Sequence, residues 1–140
     1  MKDWLFAARI TVHCLTGCVI GELIGLAIGV TYQLHPFTTM ALATVLAFIT
    51  GMDLAVMFVV KNRNTTYILA MKTVWLGELV SIAVMEIAMN ATDYFVGGVS
   101  AGSVFDAIFW IGLILAIPAG YFAALPVNYW LVKKHLKQCH

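Results

Sequence analysis

Charge is what this sequence has least of. Only 11% of its 140 residues are Asp, Glu, Lys or Arg, the net charge is +1, and the mean hydropathy is +0.94. Soluble domains carry about a quarter charged residues, so a water-soluble domain is excluded. With no basic excess there is no patch for nucleic acid either. Proline is scarce, with 3 residues, so little interrupts a helical backbone. There is no phosphate-binding glycine loop, no His-Glu-x-x-His pair and no Ser/His/Asp arrangement, so the chain is read as non-catalytic.

What is present is apolar sequence in four runs, about 5–30, 37–60, 68–95 and 105–132. Crossing the hydrocarbon core takes about 20 apolar residues, and backbone polar groups in lipid must be satisfied within the segment. The expected fold is therefore an all-α integral membrane protein, a single domain over 1–140 with four transmembrane helices in an up-down-up-down bundle. Arg9 and His13 interrupt what would be the apolar region of a signal peptide, so the first run is read as a retained helix.

Basic residues set the expected orientation. Lys2 and Arg9 come before the core of the first helix, Lys61, Arg63 and Lys72 surround the second connection, and Lys133, Lys134 and Lys137 follow the fourth helix. The first and third connections hold no Lys or Arg, which places both termini in the cytoplasm and the chain in the cytoplasmic membrane. Trp4, Tyr67, Tyr129 and Trp130 would mark the inner interface, and Tyr32, Tyr94 and Trp110 the outer one. The Asn-x-Thr sequons at Asn64 and Asn90 fall on the cytoplasmic loop and within a helix, where no glycosylating enzyme reaches them.

At 1.5 Å of rise per residue, polar residues fall into two layers. The inner layer is expected to hold His13, Cys14, Asp53 and Glu78, and the outer one Glu22, Glu86 and Asn90, with Cys18 and Met85 between. Cys14, Cys18 and Glu22 recur every four residues and share one stripe. Gly17, Gly21, Gly25 and Gly29 form a neighbouring ladder of the kind that lets another helix approach closely, and are assigned to contact with other membrane subunits or a second copy. Leu15, Val19, Leu23, Leu26 and Val30 are expected to face lipid. On the third helix Glu78, Ser81, Met85, Glu86, Met89, Asn90 and Asp93 share half the circumference, facing the first helix or a partner. Lys72 and Asp93 are expected to reach back to the interface, and Pro118 and Pro126 to kink the fourth helix.

Two chemistries compete for these residues. Thiolates and thioethers suit monovalent copper, and imidazole suits copper or zinc, which makes His13, Cys14, Cys18 and Met85 candidate ligands, with Glu22, Asp53, Glu78 and Glu86 as harder ones. His135, Cys139 and His140 form a weaker candidate metal site in the tail. Against ligation stands simple packing, since Cys acts as a small hydrophobe and Met as gap filler. Packing leaves the carboxylates unexplained, because a charge at the bilayer centre costs roughly 2.5–3.5 kcal/mol. They must be protonated, paired or neutralised by a cation.

The segments HCLTGCVIGE at 13–22, SIAVMEIAMN at 81–90 and PVNYWLVK at 126–133 together resemble a membrane family described as domain of unknown function 4396. The resemblance implies a four-helix membrane fold with His13, Cys14, Cys18, Glu22, Glu86, Asn90 and Asn128 as signature positions, and it implies no activity. Three functions remain open. The first is an accessory subunit of a larger membrane complex, such as a copper-dependent oxidase or monooxygenase. The others are a self-standing copper-binding or transport protein, and a proton relay through the buried carboxylates.

Overall fold

The computed structural model describes residues 2–134. It contains α1 (Lys2–Thr31), α2 (Pro36–Arg63), α3 (Tyr67–Val96) and α4 (Ala107–Lys133), with a short 3-10 turn at Gly98–Ser100. No strand occurs among the described residues. All four helices are long and apolar enough to cross a membrane, and their 27 to 30 residues amount to about 40–45 Å of axis. The ends fall within a few residues of those read from hydropathy. α2 starts at Pro36, whose missing N–H is harmless in a first turn, and the His35 ring accepts a 3.3 Å hydrogen bond from the Phe37 N–H. Gly97 closes α3 in the left-handed region at φ 98°, a conformation glycine adopts without strain. α4 runs through both Pro118 and Pro126 without a break.

Each helix packs against two neighbours: α1 lies between α2 and α4, α3 lies between the same two, and α1 and α3 meet only across a diagonal. The α1–α2 contact is the closest. A Cβ added at Gly17 would lie 2.7 Å from the Gly51 Cα; at Gly21 it would strike the backbone of Leu46 and Ala47, at Gly25 the Ala43 backbone, and at Gly29 the Thr39 side chain. As position rises by four along α1 it falls by about four along α2, so the helices run antiparallel. The glycine ladder is therefore filled by α2 of the same chain. This corrects its assignment to a partner subunit: α2 answers it with small residues at the same spacing, Ala43, Ala47, Gly51 and Ala55.

A second correction concerns lipid. Leu15, Leu26 and Val30 are buried, the latter two against Phe109, Leu113 and Val99. Because α1 is gripped by α2 on one side and α4 on the other, only a strip through Val12, Ile20, Ile24 and Ile28 stays exposed. The exterior is apolar elsewhere too, with Val45, Ile49, Ile87, Ile114 and Phe122 on the surface, while Glu22, Glu78, Glu86 and Asp93 turn inward. Such an inside-out arrangement suits a lipid solvent.

Candidate functional site

The space between α1 and α3 is lined by polar side chains. Glu22 is 0% exposed, Glu78 1%, Glu86 2% and Asp93 1%. Four acidic residues out of 7 in the sequence thus lie in the interior of a membrane-type bundle. From Glu78 to Asp93 they occupy about 22 Å of α3 axis, most of a hydrocarbon core of about 30 Å.

At the end nearest the α1 N-terminus, Asn128 Nδ2 of α4 donates to Thr11 Oγ1 at 2.8 Å, and Thr11 in turn donates to the Ala7 carbonyl at 2.7 Å. One turn further along α1, a cavity of about 470 Å³ is lined by Arg9, His13, Cys14 and Glu78 with Phe6 and Phe58. The His13 ring lies 4.9 Å from that of Phe58, and its buried Nε2 has no hydrogen-bond partner. Cys14 Sγ and Ser81 Oγ are 3.9 Å apart across the diagonal, the contact expected between the polar stripes of α1 and α3. Cys18, one turn on, is within hydrogen-bonding reach of Cys14 and within electrostatic reach of Glu86 and Glu78. Both thiols are free and share a core cluster with Met85 and Met89.

Beyond the thiols the site is built of oxygen. Glu22 lies within electrostatic reach of Glu86 and Asp93, and neither of its carboxyl oxygens has a hydrogen-bond partner. The Thr44 hydroxyl of α2 lies within reach of the Glu86 carboxyl. Asn90 Nδ2 donates to Thr44 Oγ1 at 2.9 Å, to the Glu86 carbonyl at 2.9 Å and to Glu86 Oε2 at 3.4 Å. Glu86 Oε1 and Asn90 Oδ1 are buried without partners. A notch of about 490 Å³ between α2 and α3 reaches this group and is lined by Thr44, Glu86 and Asn90 among apolar side chains. Asp93 is seated between Gly98 and Gly112, where any Cβ would collide with its Oδ1, and both its oxygens lack partners. Such orphaned buried atoms are rare and ask for an explanation, commonly a proton, a water or an ion.

Of the residues proposed from sequence, the structure brings Cys14, Cys18, Glu22, Met85 and Glu86 into one interior, with Glu78 and the half-buried His13 at the neighbouring cavity. Asp53 does not join them. It is exposed, and the Tyr67 hydroxyl donates to its Oδ1 at 2.9 Å. Asp53 lies two residues from both Gly51 and Ala55, about 200° round the helix from the stripe that packs on α1. Asp93 is buried with the rest of the polar stripe of α3 on which it was expected, and does not reach back to the interface as its place near the helix end had suggested. Its signal was the glycine pair, Gly98 and Gly112, that makes room for a carboxyl. Thr44 and Thr11 carried no signal, since threonines scattered through an apolar run are ordinary. His135, Cys139 and His140 lie outside the described residues. Among the described residues, no three His, Cys, Asp or Glu side chains are close enough together to hold a metal ion.

The family model described as domain of unknown function (DUF4396) matches residues 3–137. The chain belongs to that family. The match to DUF4396 spans all four helices and every residue of the interior file. No curated protein and no solved structure matches the chain.

Proposed function

We propose that this DUF4396 protein relays protons within the membrane through Glu22, Glu86 and Asp93. One observation carries the reading: three fully buried carboxyl groups, strung along the bundle, offer oxygens with no hydrogen-bond partner. Ionised and unpaired, each would cost roughly 3 kcal/mol, a large total beside a net stability of about 5–15 kcal/mol. Carrying a proton removes that cost and supplies a transferable one. Glu86 and Asp93 stand about 10 Å apart along α3 and Glu22 is within electrostatic reach of both, so a proton has a neighbour to pass to at each step. Water admitted by the Arg9–His13–Glu78 cavity and by the Thr44–Asn90 notch would exchange protons with the file. The orientation that goes with this reading has an up-down-up-down course, both termini on the cytoplasmic side and the basic residues gathered there. A four-helix bundle has thin walls, so the relay would serve a larger membrane complex or an oligomer.

The test is proton flux. Purified protein in liposomes loaded with a pH-sensitive dye should acidify or alkalinise the lumen when a membrane potential is imposed. Glu22→Gln or Glu86→Gln should abolish the response, and Cys14→Ser should leave it intact. Flux that is absent, or indifferent to both glutamates, overturns the proposal.

A second reading rests on the sulfur cluster. Cys14 and Cys18 lie within reach of each other with Met85 beside them, a soft donor set suited to monovalent copper. Elemental analysis of protein purified without metal-affinity steps tests it. About one copper per chain, lost in Cys14→Ser/Cys18→Ser, supports it, and metal-free protein that takes up no Cu(I) removes it.

A further inference from the structure

We infer that Thr44, Glu86 and Asn90 form a binding site for a sodium ion. The inference rests on reading Glu86 as an exchangeable proton site and names a second occupant for it. Three oxygen-bearing side chains from two helices are already joined through Asn90, whose amide donates to the Thr44 oxygen at 2.9 Å and to Glu86 Oε2 at 3.4 Å. Two of their oxygens, Glu86 Oε1 and Asn90 Oδ1, are buried and unpartnered on residues 2% and 7% exposed. A carboxylate, a carboxamide and a hydroxyl are hard ligands, which favour alkali and alkaline-earth ions over copper or zinc. The group contains one carboxylate, so a monovalent cation neutralises it where a divalent ion would leave an excess positive charge. No basic side chain lines the adjoining notch. The titratable groups that reach Glu86 or Cys18 across the diagonal are Glu22, Glu78 and the thiols, none of them a cation.

Asn90 supplies the switch between occupants. As it stands, its Nδ2 faces Thr44 and Glu86, the arrangement suited to an oxygen-rich site without a cation. Amide nitrogen and oxygen have nearly the same shape, so rotation of the carboxamide turns Oδ1 towards the same two oxygens. The clamp then becomes a set of three ligands. Water from the notch completes the coordination and provides the route in.

Dicyclohexylcarbodiimide tests this, because it modifies protonated carboxyl groups in apolar surroundings. The purified full-length protein is treated in detergent at constant ionic strength, in NaCl or in KCl, and the Glu86 peptide is quantified by mass spectrometry. Sodium at about ten times its dissociation constant should slow the labelling of Glu86 about tenfold relative to potassium, as occupancy requires. Asn90→Leu and Thr44→Val should keep the label and lose the protection, and Glu86→Gln should lose the label. The wild-type comparison stands without any variant. Equal labelling in the two salts overturns the sodium site and leaves the proton reading standing. Glu86 that is unlabelled in both salts overturns both.

Discussion

Replacing Gly25 with alanine separates close packing inside the chain from packing between chains. The added Cβ would land against the Ala43 Cα, 2.7 Å from its backbone nitrogen and 3.0 Å from its Cβ. Ordinary contact begins near 3.4 Å, and a helix backbone does not swing aside as a side chain tip does. The α1 and α2 axes must therefore part, loosening the neighbouring contacts of Gly21 and Gly29. Overpacking of this kind costs about 1–3 kcal/mol, occasionally more; against it, alanine gains about 0.5–1 kcal/mol over glycine within a helix. The expected net loss is about 2 kcal/mol, roughly a thirtyfold shift in the folding equilibrium. Gly51→Ala is the control. Its Cβ meets only the tips of Ile82 at 3.1 Å and Cys18 at 3.2 Å, which yield by a few tenths of an ångström, and alanine gains about 0.5–1 kcal/mol over glycine within a helix, so its stability should match or exceed that of the parent. Both substitutions are measured by titrating folded protein in mild detergent with sodium dodecyl sulfate. The buried thiols of Cys14 and Cys18 report unfolding through a maleimide dye, in a Cys139→Ser background. If Gly25→Ala is as stable as Gly51→Ala, the ladder does not bear on α2. If it instead dissociates an oligomer without lowering stability, the ladder is an interface between chains.

Four further outcomes follow from the same geometry. Thr11→Val and Asn128→Leu should each destabilise the bundle, and a double-mutant cycle should return a coupling of about 0.6 kcal/mol, with about 1.7 as an upper bound for intramembrane hydrogen bonds; zero coupling would mean that the 2.8 Å contact is not formed. Gly112→Ala should push a Cβ into the Asp93 carboxyl and destabilise the protein, and Asp93→Ala should relieve part of the loss, with a coupling of about 0.5–3 kcal/mol by chemical denaturation. Asp53→Asn should leave both stability and proton flux unchanged within error, since the side chain faces outward from the bundle; a lost flux would place Asp53 on the path. Glu22→Gln should fold as well as the parent by the thiol assay, because the amide is a neutral isostere of the protonated acid, whereas Glu22→Lys should fail to accumulate as folded protein.

The spans were legible because length and hydropathy alone decide them in lipid, and the inner stripe of α1 was legible because Cys14, Cys18 and Glu22 recur at helical spacing. The side of each helix that meets lipid was not. Leu26 and Val30 are as apolar as Ile24 and Ile28, and lipid tails are as apolar as a neighbouring helix, so hydropathy cannot rank the two faces. Small residues were the better guide: Ala43, Ala47, Gly51 and Ala55 mark the face of α2 that meets the glycines, and from that stripe the outward position of Asp53 follows. The oxygen cluster was legible only in part. Glu86 and Asn90 stood out as polar groups four apart on α3, but Thr44, which joins them from α2, is one of several threonines in an apolar run and acquires its role only through the α2–α3 register.

Whether Glu22, Glu86 and Asp93 hold protons inside the bundle is decided by infrared spectroscopy of the purified protein at neutral pH. Protonated carboxyl groups absorb apart from ionised ones. Protons held on three relaying acids give a carboxylic-acid signal that shifts on exchange into heavy water, as acids in contact with water through the cavity and the notch must, and that loses intensity stepwise in Glu22→Gln, Glu86→Gln and Asp93→Asn. A spectrum with only ionised carboxylate, or an acid signal unchanged by these three substitutions, would contradict the relay.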